Sequence, residues 1–321
     1  MSEQLFTTDI DETDGVLSGP PRRPRQMLQE QTYDGHLSIH DDAQAQELGF
    51  SGAPIEGPTH FSQFEPLLHR LWGDTWLQSG CISAHFKNVV VEGEQVQAFA
   101  ERPADGANVT RVWATKSSGE PVLEGTASIG PQHPETELDR LLASRPTPQQ
   151  LVILENVSIG DSSANGEPVH MHFDQHLGDG YPFTLADKLQ VITEHCPWYT
   201  DEGAAASPWG RPIIPMEMIS PLVQYAFNPI GTEAKRPVIG MFADLEIRLL
   251  RGPLFVGQHY LLDKQVIGLG ESRRTESMWI RTSIRDADSG ELVATSTLNS
   301  AYLKDSYPDY AAEAKRLGVV A

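Results

Sequence analysis

The chain has 321 residues, enough for one large or two medium domains that each bury a core, and 39% hydrophobic with 21% charged residues suits a globular protein. A net charge of −20 excludes the basic surface that a nucleic-acid partner requires. It also opposes an anionic ligand unless cations gather locally, for which Arg248, Arg251, Arg273 and Arg274 are the candidates. No apolar run is long enough to span a membrane, and two cysteines, Cys81 and Cys196, make no disulfide framework, so a cytoplasmic location is the default.

Residues 1–28 lack the apolar core of a secretory signal; they are acidic, then run Pro20-Pro21-Arg22-Arg23-Pro24-Arg25. A disordered acidic arm is predicted there. Next comes the densest stretch, His36-Leu-Ser-Ile-His40-Asp-Asp42, followed by a short helix over Asp41 to Leu48 that Gly49 closes. Gly52, Pro54 and Gly57 then impose an irregular loop. Thr59 to Trp76 places Phe61, Phe64, Leu67, Leu68, Leu71 and Trp72 on one helical face, with Thr59 as N-cap and a kink at Pro66. Strand-like runs follow at Cys81 to Val91, Gln95 to Arg102, Val109 to Lys116 and Val122 to Ile129, with turns at Gly93, Asp105-Gly106 and Ser118-Gly119.

Residues 131–150 carry four prolines and read as a linker, with a surface helix over Thr136 to Ser144. Leu151 to Gly160 is predicted as a further strand. The pattern then repeats. His195-Cys-Pro-Trp-Tyr199-Thr-Asp201 and Gly210-Arg-Pro212-Ile213 lie 158–159 residues after the first motif. An apolar helix over Met218 to Phe227 follows, then strands at Val238 to Leu250, Gln258 to Ile267, Glu276 to Arg285 and Val293 to Tyr302. Ser289-Gly290-Glu291 echoes Ser118-Gly119-Glu120. The chain therefore divides into the arm, a first unit over 29–130, the linker, a second unit over 151–305 and a terminal helix over 306–321. Each unit is one helix against four antiparallel strands, an α+β architecture, and two such copies imply a pseudo-dimer within one chain that could pair again as a homodimer.

His40-x-Asp42, the helix ending at Gly49-Phe50, and Ala53-Pro54-Ile55-x-Gly57 ahead of an apolar helix resemble the MaoC-like hydratases and dehydratases of the hotdog superfamily. The duplication resembles the double-hotdog form, in which each helix is wrapped by an antiparallel sheet. The resemblance implies a lyase acting on an acyl thioester of coenzyme A or an acyl carrier protein, with no cofactor. A histidine and an aspartate would move protons at the acyl chain, and backbone amides at a glycine loop would polarise the thioester carbonyl. Carried over, His40 is the histidine and Asp42 the following aspartate. Gly57, the Thr59 end of the helix, Pro54 and Ile55 would contact substrate.

The sequence departs from the family pattern of Asp-x-Asn-Pro-aliphatic-His-x-Asp. Gly35 stands at the catalytic aspartate and Leu37-Ser38 at the Asn-Pro pair. Either Asp34, after a one-residue slip, or His36 would supply the second proton-transfer group. In the second copy Tyr199 replaces the histidine and Glu194 the aspartate, so His195 and Tyr199 are predicted to line a remnant pocket. The cluster His170, His172, Asp174, His176, Asp179 has no defined ligand spacing and reads as surface histidines rather than a metal site. Three functions remain in view: a hydratase or dehydratase with its site in the N-terminal half, a hotdog thioesterase, and a non-catalytic acyl-thioester-binding protein. No metal, nucleic-acid or membrane partner is expected.

Overall fold

The structure is a computed structural model that describes residues 5–32, 38–164, 166–225 and 234–319. The arm is a correction to the sequence reading. Asp11–Thr13 (β1) and Val16–Ser18 (β2) form a hairpin through Asp14 and Gly15, both at positive φ (52° and 76°), the backbone a tight two-residue turn demands. Leu5, Phe6, Leu17 and Leu28 are buried in the main core. Further along, Arg22 reaches the second unit, where its Nε and Nη2 donate to Glu194 at 2.7 and 2.9 Å and Thr8 donates to the same carboxylate. Order in this segment comes from the pairing of β2 with the strand over 96–101 and from the Arg22 contact 172 residues away, not from local propensity alone.

Asp42–Glu47 (α1) begins at Asp41, whose carboxylate caps the Gln44 amide at 2.9 Å, and ends at Gly49 with φ 84°. The apolar helix is three pieces: a 3-10 segment over Gly57–Phe64, then Glu65–Trp72 (α2), then Asp74–Ser79 (α3). The break falls at Gly73, φ 57°, and not at Pro66, which sits in the first turn of α2 where no amide donor is needed. Four strands follow: Gly80–Phe86 (β3), Val96–Glu101 (β4), Val109–Lys116 (β5) and Pro121–Ile129 (β6), all antiparallel in the order β4-β5-β6-β3. Inward residues alternate along them, as at Thr110, Val112 and Ala114, and the helical pieces pack on that face. The arm hairpin extends this sheet, β2 pairing with β4.

The linker holds Glu137–Ser144 (α4), started by a capping box between Thr136 and Asp139. The predicted strand at Leu151 to Gly160 is absent. Those residues make turns because the amides of Val152, Ile153 and Leu154 all donate to the buried Glu276 carboxylate at 2.9–3.0 Å, which curls the backbone around it. Ser162–Ala164 (β7), Leu185–Val191 (α5), Asp201–Ala204 (α6) and Met216–Gln224 (α7) come next. The second sheet is Gly240–Leu249 (β8), Tyr260–Glu271 (β9), Thr275–Asp286 (β10) and Leu292–Leu303 (β11), in the order β9-β10-β11-β8. Tyr310–Leu317 (α8) ends the described chain.

The two sheets repeat one strand order and meet where β3 pairs antiparallel with β8, giving a continuous eleven-stranded sheet among the described residues. A buried polar network crosses the seam on the face away from the helices. Asp244 of β8 accepts from Asn299 Nδ2 at 2.6 Å and Trp279 Nε1 at 3.2 Å, and its other oxygen meets His85 Nδ1 of β3. The linker covers that face: Thr136 Oγ1 donates to Glu246 at 2.6 Å and the Leu138 amide to Ser83 Oγ at 3.1 Å.

Glu194 is 2% exposed, so removing Arg22 leaves a carboxylate desolvated without its counter-ion. Arg22→Met is expected to lower unfolding free energy by about 3 kcal/mol, and Arg22→Met with Glu194→Gln to recover part of it. Urea titration of the three proteins checks this; equal midpoints would mean the clamp contributes nothing.

Candidate functional site

A cavity of about 760 Å³ lies against the inner face of the second sheet, and its near wall is the first unit's motif segment. His40, Pro54, Ile55, Glu56, Gly57 and His60 border it from one side; Phe242, Leu298, Ile280 and Lys264 border it from the other. The opening carries the exposed residues Thr32, Lys87, Asn88, Asp179 and Arg236.

Local sequence explains how His40 is held. Ile39 packs with Ile239 and Leu303. The His40 ring donates from Nδ1 to the Pro54 carbonyl at 2.7 Å, which leaves Nε2 as the basic nitrogen. Burial pushes the imidazole down to about 4, against the smaller opposing effect of that hydrogen bond, so the ring is neutral at pH 7. The acceptor is itself fixed: Pro54 bridges Val91, and Ile55 donates to the Val90 carbonyl at 2.7 Å. Asp42 does not border the cavity. Its carboxylate accepts the Ala53 amide at 2.7 Å, so it braces the loop that carries Pro54. Neighbouring Asp41, not Asp42, caps α1.

Glu56 is the carboxyl group that sequence reasoning passed over. It is 7% exposed, borders the same cavity two residues after Pro54, and is pushed up to about 7. Burial is the main cause; Glu217 adds to it, while Lys188 and a hydrogen bond from Tyr181 oppose it. The signal was present in the motif, where Glu56 precedes Gly57, but the sequence did not show which way that side chain turns. Gly57 is needed for close approach: a Cβ there would lie 2.7 Å from Phe86 Cζ.

The helix starts at Gly57, not at the predicted Thr59. Thr59 is buried away from the cavity, its Oγ1 accepting from Lys188 Nζ at 2.9 Å and its amide donating to the Glu56 carbonyl at 3.2 Å. Lys188 also lies 3.6 Å from Glu217 on α7, and Glu65 accepts the Met216 amide at 2.8 Å, so buried charged groups join the central helices of the two units. Asp34 and His36 lie outside the described residues.

The second motif forms no comparable pocket. His195 is exposed and Glu194 is bound to Arg22. Tyr199 is buried against Glu65 and borders only a crevice of about 10 Å³. The four arginines proposed to gather round an anion also stand elsewhere: Arg248 pairs with Glu246 at 2.8 Å, Arg251 with Glu291 at 2.7 Å, Arg274 donates to the Leu48 carbonyl, and neither these nor Arg273 borders the cavity. The His170 ring sits 5.0 Å from His172 and 4.7 Å from His259, and among the described residues no group of three or more His, Cys, Asp or Glu is arranged to hold a metal ion. Among those residues no helix is long and apolar enough to cross a membrane.

Two four-stranded units in one sheet, each with its helix on the same face, match solved structures over nearly the whole chain. A putative MaoC domain protein dehydratase from Chloroflexus aurantiacus aligns over 94% of this chain and 95% of its own, at 13% identity and a TM-score of 0.55. The chain has a MaoC-like double-hotdog fold. Weaker similarity extends to the dehydratase domain of PpsC from Mycobacterium tuberculosis in complex with C12:1-CoA (10% identity, 94% and 98% covered, TM-score 0.47). A conserved Mycobacterium tuberculosis protein with a double hotdog fold also aligns (12% identity, 79% and 84% covered, TM-score 0.44). No protein-family model matches the sequence, and no curated protein matches it.

The double-hotdog geometry makes Asp42 a bracing group, and its variants separate that role from proton transfer. Asp42→Asn keeps an acceptor for the Ala53 amide and is expected to stay within about 0.5 kcal/mol of wild type, whereas Asp42→Ala costs about 1–3 kcal/mol. Thermal unfolding reads both; identical losses in the two variants would remove the bracing role.

Proposed function

We propose that the chain is a hydratase or dehydratase of acyl thioesters, carried on coenzyme A or an acyl carrier protein, with its single site in the N-terminal unit. The observation behind this reading is a neutral imidazole and a protonatable carboxyl on one cavity wall, His40 and Glu56, joined through the Pro54–Glu56 segment. Their environments push them in opposite directions, His40 down to about 4 and Glu56 up to about 7. At pH between these values one group accepts a proton while the other donates, the condition for adding or removing water across a Cα–Cβ bond.

In the hydration direction, His40 Nε2 takes a proton from water as the water oxygen bonds to Cβ. The Cα–Cβ π electrons move onto the thioester oxygen as an enolate, with the Gly57 end of the 3-10 segment as the amide donor region. Glu56 then delivers its proton to Cα and the carbonyl reforms. Dehydration is the reverse sequence, so the reverse reaction starts from the carboxylate of Glu56 and the imidazolium of His40.

The pH dependence has a direction. Hydration needs His40 neutral, so the rate rises as pH climbs through about 4; it needs Glu56 protonated, so the rate falls as pH climbs through about 7. kcat/KM for an enoyl-CoA is therefore expected to be bell-shaped between those values. His40→Ala and Glu56→Gln are each expected to lose about 10²–10⁴-fold, by the usual weight of general acid–base catalysis. Undiminished hydration in either variant would sink the pair. Release of free thiol from acyl-CoA, without hydration, would favour a thioesterase, and saturable binding with neither product would favour a binding protein.

A further inference from the structure

The 3-10 segment at the cavity wall starts with few amide donors. A helix start ordinarily leaves its first amides free to receive an anion. Here Pro58 has no amide proton, and the Thr59 amide already donates to the Glu56 carbonyl at 3.2 Å. Of the first three positions only the Gly57 amide is left to turn to a ligand. An oxygen that gains negative charge in a reaction is held by converging donors, so a second donor has to come from a side chain.

His60 is placed to supply it. It lies one turn on from Gly57, is 3% exposed, and borders the same cavity as His40, Glu56 and Gly57. Gln63 Nε2 stands 3.4 Å from the His60 Nδ1. An amide nitrogen only donates, so Nδ1 is the acceptor and the ring proton sits on Nε2. Among the described residues no group accepts from that Nε2, yet the atom is not sealed in protein as the Nε2 of His133 is. Its open side is the cavity. His40 carries the opposite tautomer, with its proton on Nδ1 toward Pro54 and its lone pair on Nε2. Two imidazoles at one cavity thus present complementary nitrogens, one a base and one a donor. Burial, with Lys188 and Lys116 nearby, pushes His60 down to about 4, so the ring is neutral where Glu56 titrates, near 7. A neutral imidazole N–H polarises a carbonyl without giving up its proton.

We propose that His60 is a catalytic residue of this site, donating from Nε2–H to the thioester oxygen of the bound acyl group alongside the Gly57 amide. This rests on the acyl-thioester reading above and adds the side-chain electrophile to it. As water adds at Cβ, the Cα–Cβ π electrons move onto that oxygen and the His60 hydrogen bond tightens on the enolate. His60 keeps its proton throughout. The electrons return to Cα as Glu56 protonates it, and the carbonyl reforms. In dehydration the same bond holds the enolate that forms when the Glu56 carboxylate removes the Cα proton.

The test is isotope-edited infrared difference spectroscopy of hexanoyl-CoA, labelled at the thioester carbonyl carbon and bound to the full chain. Saturated between Cα and Cβ, this probe cannot be hydrated. Wild type is expected to move the carbonyl stretch to lower frequency than in water. His60→Phe is expected to lose most of that shift, and His60→Gln, which keeps an N–H donor, to retain most of it. Hydration of an enoyl-CoA is expected to fall about 10²–10³-fold in kcat in the Phe variant and about tenfold in the Gln variant. An unshifted carbonyl in wild type overturns the proposal, and so does a shift that survives in a folded Phe variant. Should the Phe variant not fold, nitrogen NMR of the wild-type His60 ring decides. A proton on Nδ1 overturns the proposal; a proton on Nε2 whose signal moves when hexanoyl-CoA binds supports it. A shift that depends on His60, without hydration of any enoyl thioester, removes the proposed reaction and keeps the carbonyl contact. Hydration with no dependence on His60 does the reverse, and hexanoyl-CoA that fails to bind removes both.

Discussion

The pairing of β3 with β8 is the constraint on which the rest depends. Each unit alone would end in an open strand edge and a helix covering only its own half-sheet. Registered from Cys81 opposite Arg248 to His85 opposite Asp244, the two edges satisfy one another and the sheet becomes continuous. That brings the 3-10 segment of the first unit against α7 of the second, so the central helices meet along Glu65, Met216, Lys188 and Glu217. The cavity forms beside this meeting line, with His40 and Glu56 on one unit and its apolar wall on the other. The seam network around Asp244 and the linker contacts to Glu246 and Ser83 stabilise the same junction from the opposite face.

Much of this was legible because sheet alternation is a local signal. The inward phase of Val112 and Ala114, or of Leu245 and Ile247, can be counted from the sequence, and both units yielded their four strands within a few residues. Two of the failures had long-range causes. The arm has few apolar residues and no period, and it is held by Arg22 on Glu194. The run Leu151 to Val157 reads as a strand by composition, but its amides turn onto Glu276, more than 120 residues away. The helix break went to Gly73 because proline is harmless in a first turn, whereas a glycine at positive φ ends a helix outright.

The site was legible in part. His40 and the Pro54–Gly57 loop border the cavity; Asp42, Thr59, His195 and Tyr199 do not. The difference is orientation. A carboxylate near a loop can reach into a cavity or back to a neighbouring amide, and spacing does not say which. Asp42 turns to Ala53, Thr59 to Lys188, and Glu56 takes the cavity side. Lys264 could have been noticed, since a lysine in the inward phase between Leu262 and Val266 breaks the pattern that defines its own strand.

The seam also has a consequence in time. During synthesis β3 is complete about 160 residues before its partner β8 emerges, as Ala84 opposite Leu245 shows. At the usual pace of translation that edge stands open for on the order of 10–30 s. The arm hairpin protects the far edge of the same sheet early, through β2 on β4, but among the described residues of the first unit none pairs with the other edge of β3. The nascent chain thus carries a sticky edge at β3, and its own second half must reach that edge before another chain does.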